Sequence, residues 1–316
     1  MKYDVTIKTI MDEAEGVKTF ILEGVSGTAL PKFTAGSHSN IELKPGLTRA
    51  YSLVPVSDSD NAYAISVRLD PKSRGGSAYL HTEVVPGSVL SISEPANNFK
   101  LNETSEFSCF FAGGIGVTPF LSMAERLNEL GRPWEMHYAS RTRASCPYVK
   151  RLEALAAESK GKVFFYFDED AGSSRLCMEK VIEGKKAFAD FYCCGPVGML
   201  DHFVALTADI KERAHLEYFA SNTEASTDSS AVIECARSGK TLQLEPGKTI
   251  LEVLIDNGLD VEFSCREGTC GTCEVPILEG EADHRDMILS DEEKDANESL
   301  MVCCSGAKTA KLVLDI

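Results

Sequence analysis

The chain lacks several features that would place it in a membrane or on a nucleic acid. Its 316 residues carry 32 lysines and arginines against 48 acidic residues, so the formal net charge is −16 at pH 7. This excess argues against nucleic acids and anionic membranes as partners. No apolar run is long enough to cross a bilayer, and the opening residues MKYDVTIKTI do not form a secretion signal. We therefore predict a cytoplasmic protein of two or three domains.

The negative charge is concentrated at the end of the chain. Residues 231–316 hold 8 basic and 18 acidic residues, a net −10, whereas residues 1–230 have a net −6. Two interpretations stay open at this point: an acidic surface that docks a partner, and ordinary solubility.

Histidines are scarce near the clustered cysteines, which argues against a zinc site. Three of the eleven cysteines lie in residues 265–273, CREGTCGTC, and only His284 is nearby. Zinc sites usually pair two C-x2-C knuckles or add histidines, whereas C-x4-C-x2-C with a distant fourth cysteine is typical of plant-type [2Fe–2S] sites. A chain without a leader also disfavours a disulfide framework. Gly268 and Gly271 would let the loop turn its N–H groups toward a cluster.

The fourth cluster ligand is ambiguous from spacing alone. Cys303 lies 29 residues beyond Cys273, and Cys304 follows directly. The segment Leu300–Cys304 is predicted to be a strand, in which neighbouring side chains face opposite ways. Only one of the two cysteines is therefore expected to face the cluster.

Residues 1–102 are predicted to form a small antiparallel β-barrel. Short β-rich runs separated by turn residues occupy Tyr3–Ile10, Val17–Glu23, Ser39–Leu43 and Ala62–Leu69. Residues 49–52, RAYS, are expected to close one loop, and residues 74–77, RGGS, to begin another before a short helix at Ala78–Glu83. An arginine and glycine N–H groups at a helix start suit a phosphate, and a tyrosine offers a flat face to an isoalloxazine ring. These segments are compatible with a flavin site, but Arg-x-Tyr-Ser also occurs by chance and Arg-Gly-Gly is often only a turn.

Residues 103–223 alternate strands and helices, which predicts a parallel sheet covered by helices on both faces. A strand at Cys109–Ala112 leads through residues 113–119, GGIGVTP, into a helix at Phe120–Leu130, a layout typical of nucleotide binding. Further strands are predicted at Trp134–Ala139, Lys162–Phe167, Asp190–Cys194 and His215–Phe219, and further helices at Tyr148–Ser159, Ser174–Gly184 and Pro196–Leu206.

Two loops follow strand ends in this region, where open sheets bind ligands. Residues 140–143, SRTR, offer two arginines and no acid, which would favour NADPH unless they contact adenosine or solvent. Cys193 and Cys194 precede Gly195 and Pro196 in the second loop. A cysteine there could be a metal ligand, a nucleophile or a small wall residue.

The remaining chain is predicted to contain a linker and a compact domain. Residues 224–230 are polar and low in complexity, as expected of a flexible linker. Residues 231–316 combine a hairpin, short strands and helices that begin at capping boxes on Thr249 and Ser290. We predict an α+β domain of the β-grasp kind.

Together these modules resemble the phthalate dioxygenase reductase family, which includes reductase partners of Rieske-type oxygenases. The resemblance covers the whole chain and is carried by residues 49–52, 74–77, 112–119, 194–196 and 217–219 and by the cluster cysteines. It implies an NADH-dependent flavin and iron–sulfur oxidoreductase with FMN, a [2Fe–2S] cluster and NADH. Its electron acceptor would be a Rieske-type mono- or dioxygenase. The alternatives are a reductase for a non-Rieske hydroxylase and a non-catalytic redox sensor.

The resemblance also implies roles for individual residues. The cluster ligands would be Cys265, Cys270, Cys273 and Cys303. The FMN contacts would be Arg49, Tyr51, Ser52, Gly75, Gly76 and Ser77. The NADH contacts would be Gly114, Gly116, Thr118, Ser140, Arg141, Cys194, Gly195 and Pro196. Ser52 would lie near the reactive ring nitrogen, Cys194 beside the nicotinamide, and Phe219 over the other ring face.

A flavin is required between the two other redox groups because NADH donates a hydride and an iron centre accepts single electrons. The cofactors would carry the redox chemistry while the protein fixes their positions, so no acid or base residue is required. Cys265→Ser is accordingly expected to leave NADH-to-flavin reduction intact and to stop transfer to a one-electron acceptor.

Overall fold

The computed structural model divides the chain into two compact units, Met1–Glu217 and Tyr218–Ile316. The described residues are 1–45, 47–56, 59, 61–71, 73, 75–170, 175–219, 225–227, 230–263 and 265–316. Arg74 and residues 224, 228 and 229 of the predicted linker at 224–230 lie outside them. Among the described helices, none combines the length and the apolar content needed to cross a bilayer.

The first unit opens with a curled antiparallel sheet of seven strands. These are β1 (Lys2–Ala14), β2 (Val17–Gly24), β3 (His38–Lys44), β4 (Leu47–Ser52), β5 (Val54–Pro55), β6 (Ala62–Arg68) and β7 (Val89–Ser93), with α1 (Gly76–Thr82) between β6 and β7. Their order is β4-β3-β7-β1-β2-β6-β5. The predicted barrel is confirmed as a half-barrel. Residues 49–52 were wrongly expected to close a loop, because they pair antiparallel with β3 as part of β4.

A five-stranded parallel sheet follows, as predicted. Its strands are β8 (Phe107–Gly113), β9 (Trp134–Ser140), β10 (Gly161–Phe167), β11 (Ala189–Cys194) and β12 (Ala214–Glu217), and its helices are α2 (Thr118–Glu129), α3 (Val149–Ala157), α4 (Met178–Glu183) and α5 (Val197–Leu206). The order is β10-β9-β8-β11-β12. The last strand stops at Glu217 rather than Phe219, because β11 ends opposite it at Cys194. Helix α4 begins later than predicted, after an extended Cys177.

The two sheets of the first unit are joined by buried polar contacts. The Thr19 hydroxyl lies 2.7 Å from Ser66 Oγ and 3.0 Å from the Tyr148 hydroxyl, and Ser66 and Tyr148 also bond to each other. Arg151 donates to the Pro55 carbonyl at 2.7 Å. Because buried hydroxyls are costly to leave unpaired, these contacts fix the half-barrel against the parallel sheet.

The second unit is a mixed sheet with two short helices, which confirms the predicted α+β domain. Its strands are β13 (Val232–Cys235), β14 (Lys240–Gln243), β15 (Glu274–Glu279), β16 (Ala282–Asp283), β17 (Ser299–Met301), β18 (Gly306–Ala307) and β19 (Lys311–Leu314), and its helices are α6 (Ile250–Asp256) and α7 (Asp291–Ala296). The order of the main sheet is β14-β13-β19-β15-β17. Both predicted capping boxes are present, at Thr249 and Ser290.

One predicted strand of the second unit is too long. The strand expected at Leu300–Cys304 ends at Met301, because the N–H groups of Cys304 and Ser305 both donate to the Met301 carbonyl and turn the chain. The alternation of side chains along a strand therefore does not decide which cysteine faces the cluster.

Candidate functional site

Four thiols meet at the cluster loop, residues 265–273. The Cys265 thiol interacts with those of Cys270 and Cys303, and the Cys273 thiol also interacts with Cys303. Hydrogen bonds from Cys270 and Cys303 hold the pKa of Cys265 well below its ordinary value. The same hydrogen bonds raise the pKa values of Cys270 and Cys303, so it is the meeting of four sulfurs that fits a [2Fe–2S] cluster.

The backbone of the cluster loop is shaped toward these sulfurs. The N–H groups of Glu267 and Thr269 point at Cys265 Sγ, at 3.3 and 3.5 Å. Gly268 and Gly271 have φ values of +68° and +75°, which side chains rarely tolerate. The Met287 N–H donates to the Gly268 carbonyl at 2.9 Å and holds the loop from behind.

Cys304 lies behind the loop, where its thiol contacts that of Cys303. Its Sγ points to the Met301 carbonyl at 3.7 Å. A Cβ added to Gly268 would lie 2.5 Å from Cys304 Sγ and 3.0 Å from Asp286 Cα. Cys304 thus packs against the back of the loop, and Cys303 completes the donor set.

The predicted flavin residues surround the turn that begins α1. A Cβ on Gly76 would lie 2.9 Å from Arg49 Cγ, so only glycine lets the arginine side chain lie across this turn. Gly75 has a φ of +94°, which also requires glycine. The Ser77 hydroxyl accepts from the Asp70 N–H at 3.2 Å and donates to Ser73 Oγ at 3.0 Å, so it fixes the turn.

Tyr51 and Ser52 end β4, the strand that carries Arg49. Tyr51 packs part of its ring against the half-barrel core. Ser52 is buried, and its Oγ has no hydrogen-bond partner among the described residues. Buried hydroxyls are normally paired, so an orphaned one at the end of β4 fits a bound polar ring such as a flavin.

Glu217 is a candidate site residue that the sequence analysis assigned no role. It pairs in register with Cys194 on the neighbouring strand, and Cys194 pairs on its other side with Ala112. Oε2 of Glu217 is inaccessible and has no partner among the described residues. The motif Glu217-Tyr218-Phe219 was part of the family resemblance, but the pairing with Cys194 depends on strands that are far apart in the chain.

Burial raises the pKa of Glu217 to about 8, so its carboxyl group keeps a proton at neutral pH. Burial, and then the nearby Glu217, also raise the pKa of Cys194 well above its ordinary value. A thiol held neutral is a poor nucleophile, which favours the interpretation of Cys194 as a small wall residue. Cys194 belongs to the apolar core that it shares with Val54 and Ala64 of the half-barrel. Its neighbour Cys193 points to the opposite face of the sheet.

We expect Glu217→Gln to remove a pH dependence of stability from the flavin-free protein. Between the ordinary value of 4.5 and about 8, the folded protein keeps a proton that the unfolded chain has lost. Stability therefore falls as pH rises through this window, by up to about 1.4 kcal/mol per pH unit. Urea unfolding at a series of pH values measures the free energy of unfolding. The signal is the fluorescence of Trp134, the single tryptophan, which lies in the first unit. The exposed Glu212→Gln is the control, and equal slopes in all three proteins would contradict the prediction.

The glycine loop, residues 113–117, packs against the loop that follows β11. A Cβ on Gly116 would lie 2.3 Å from the Cys194 carbonyl oxygen, and one on Gly113 would lie 2.4 Å from Pro196 Cδ. These two glycines therefore allow the two loops to touch. Gly114, at φ +54°, is less crowded, because a Cβ added to it would lie 3.9 Å from Arg68 Nη1.

Other predicted NADH residues have structural partners. Thr118 is buried at the start of α2, and its hydroxyl donates to the Ile115 carbonyl at 3.1 Å. Gly195 approaches Gly113 so closely that its added Cβ would lie 3.0 Å from Gly113 Cα. Phe219 follows β12 by two residues at the start of the second unit, and its role at the flavin face stays a prediction.

The end of β9 lies beside acidic residues that the sequence analysis missed. The Asp168 N–H donates to the Ser140 carbonyl at 3.1 Å, and the Glu169 N–H to the Arg141 carbonyl at 2.9 Å. Asp170 accepts from the Arg143 N–H at 3.3 Å. Carboxylates at such a strand end suit an unphosphorylated ribose, which favours NADH. The parallel pairing of β9 and β10 brings them together across a long stretch of sequence.

Comparisons with known proteins identify both an NAD-binding domain and an iron–sulfur domain in this chain. Residues 110–204 match the oxidoreductase NAD-binding domain, and residues 233–308 match the 2Fe-2S iron-sulfur cluster binding domain. Tetrachlorobenzoquinone reductase of Sphingobium chlorophenolicum is 45% identical, over 99% of this chain and 98% of that protein. The carnitine monooxygenase reductase subunit of Escherichia coli is 38% identical, over 99% and 98%. The structure of phthalate dioxygenase reductase superposes with a TM-score of 0.79 at 32% identity, covering 100% of this chain and 98% of that one.

Proposed function

Because the chain belongs to the phthalate dioxygenase reductase family, we propose that it is the reductase component of a cytoplasmic Rieske-type mono- or dioxygenase. It is an NADH-dependent oxidoreductase with FMN and a [2Fe–2S] cluster. The observation that carries the proposal is the convergence of four thiols at the cluster loop, in a chain that matches a monooxygenase reductase subunit along its whole length.

The proposed division of the chain follows its sheets. Residues 1–102 would bind FMN, residues 103–223 NADH and residues 231–316 the cluster, with a linker at 224–230. When bound, FMN supplies acceptance of two electrons from a hydride donor and their release to iron one at a time. Arg49 and Gly76 would hold its phosphate, and Tyr51 would contact its ring.

The residues of the first unit would position the reacting groups without acid or base catalysis. Cys194 provides a small neutral wall where the nicotinamide enters. Glu217 keeps its carboxyl proton at neutral pH and so offers a donor next to that wall. Ser52 would pair its orphaned hydroxyl with the flavin ring. Gly114 would face the NADH diphosphate.

The proposal is tested by presenting the purified protein with two purified acceptors under anaerobic NADH. One is the oxygenase component of a carnitine monooxygenase, and the other is a bacterial cytochrome P450. We expect the Rieske centre to be reduced, and Cys265→Ser to abolish its reduction while NADH still bleaches the flavin. Reduction of the P450 but not the Rieske centre would reject the proposed partner.

A quinone is a second candidate acceptor, because the relative at 45% identity is named a tetrachlorobenzoquinone reductase. A quinone can take two electrons directly, so it does not require the cluster. Cys265→Ser separates the two functions. Quinone reduction that persists at the wild-type rate, together with an unreduced Rieske centre in the wild type, would favour the quinone.

A further inference from the structure

Arg68 is an exposed cation beside the glycine loop with no assigned role. Its Nη1 atom lies 3.9 Å from the position of a Cβ added to Gly114, and apart from Gly114 and its two chain neighbours no other described atom lies within 4 Å of that position. The Arg68 side chain has no hydrogen bond or ion pair with any residue that the structure describes. Its guanidinium therefore faces the open space above the loop with its donors unused.

The fold holds Arg68 in this place. It is the last residue of β6, and it lies two positions beyond Ser66 on the same strand face. Ser66 is bonded to Thr19 and to Tyr148, which precedes α3 of the parallel sheet. The face of β6 that carries Arg68 is thus attached to the parallel sheet. An arginine of the half-barrel is in this way directed at the glycine loop of the other sheet.

We propose that Arg68 binds the diphosphate of NADH and thereby aligns the nucleotide across the two sheets of the first unit. The chemistry fits because a guanidinium pairs its planar donors with phosphate oxygens. Gly114 leaves room for the diphosphate, and α2 begins directly after the loop, so its N-terminus adds favourable partial charge. This inference rests on the proposed function, because it assigns a ligand to the same NADH site.

A comparison of two hydride donors tests the assignment. NADH carries the diphosphate, whereas N-benzyl-dihydronicotinamide carries the reactive ring and no phosphate. We expect Arg68→Ala to raise the NADH concentration for half-maximal flavin reduction about 10- to 100-fold, the range of one lost charge-assisted interaction. Flavin reduction by the benzyl analogue should stay unchanged, and Arg68→Lys should recover part of the loss.

The control is Arg132→Ala, because Arg132 precedes β9 and so lies at the opposite end of the parallel strands from the glycine loop. It should leave both donors unaffected. Calorimetric binding of ADP-ribose, which has the diphosphate but no nicotinamide, gives a readout without turnover. Its affinity should fall in Arg68→Ala by the same factor as that for NADH.

Two results would overturn the assignment. Equal losses with NADH and with the benzyl analogue would show that Arg68 supports the structure of the flavin site instead. Unchanged ADP-ribose affinity in Arg68→Ala would show that the diphosphate is bound elsewhere. A wild-type protein that binds ADP-ribose but reduces no acceptor would reject the proposed function and leave the role of Arg68 standing.

Discussion

Cys303→Ser will yield protein that lacks an intact [2Fe–2S] cluster, whereas Cys304→Ser will retain it. The two residues are neighbours, yet only the Cys303 thiol interacts with those of Cys265 and Cys273. Cys304 points to the Met301 carbonyl. Losing one of four thiolate ligands removes a bond to iron that a serine hydroxyl replaces poorly. Losing the Cys304 thiol removes its contacts with the Met301 carbonyl and with Cys303, but no ligand of the cluster.

The measurement is iron and acid-labile sulfide per chain after anaerobic reconstitution, with flavin content as the internal reference. We expect NADH to reduce the flavin in both variants. Cytochrome c, a one-electron acceptor, should be reduced at a background rate by Cys303→Ser and near the wild-type rate by Cys304→Ser. The assignment fails if the two variants lose the cluster equally, or if Cys304→Ser alone loses it.

Gly268→Ala is the second substitution with a large expected effect on the cluster. An alanine at φ +68° costs about 1–2 kcal/mol for its left-handed backbone. Its Cβ would also lie 2.5 Å from Cys304 Sγ and 3.0 Å from Asp286 Cα, and the second of these atoms belongs to the backbone. The cluster loop must therefore move, and its N–H groups would turn away from Cys265. We expect most of the cluster to be lost.

Gly271→Ala provides a matched control in the same loop. Its φ of +75° imposes the same kind of backbone strain, but the nearest atom to its Cβ is Ile288 Cγ2 at 3.7 Å. We expect this variant to keep most of its iron. Adding Cys304→Ala to Gly268→Ala removes the sulfur clash and should restore part of the cluster. Equal iron content in the two alanine variants would contradict the steric explanation.

The flavin and NADH residues show where sequence reasoning was limited. Arg49 and Gly76 were assigned to one phosphate site from separate motifs, and the structure places them in contact. Thr118 was expected to face the diphosphate, but its hydroxyl is bonded to Ile115 within the loop. A hydroxyl at a helix start can bond to its own turn or to a ligand, and the sequence is the same in both cases.

The residues that sequence reasoning missed share one property. Glu217 gains its raised pKa from burial beside Cys194, and Arg68 gains its position from the attachment of β6 to the parallel sheet. Each depends on a neighbour that is distant in the chain. Neither environment follows from the local sequence.

The sequence by itself determined the three kinds of sheet, the capping boxes and the cluster loop, because turn residues, hydrophobic periodicity and cysteine spacing act within a few residues of one another. The family resemblance implied Cys303 as the fourth ligand, but only the tertiary structure gives the physical reason, because Cys303 joins the other three thiols while Cys304 packs behind them. A hydrogen-bonded turn after Met301, rather than strand alternation, separates the two. The same holds for Glu217 and Arg68, whose environments are created by pairing between strands that the chain order keeps apart.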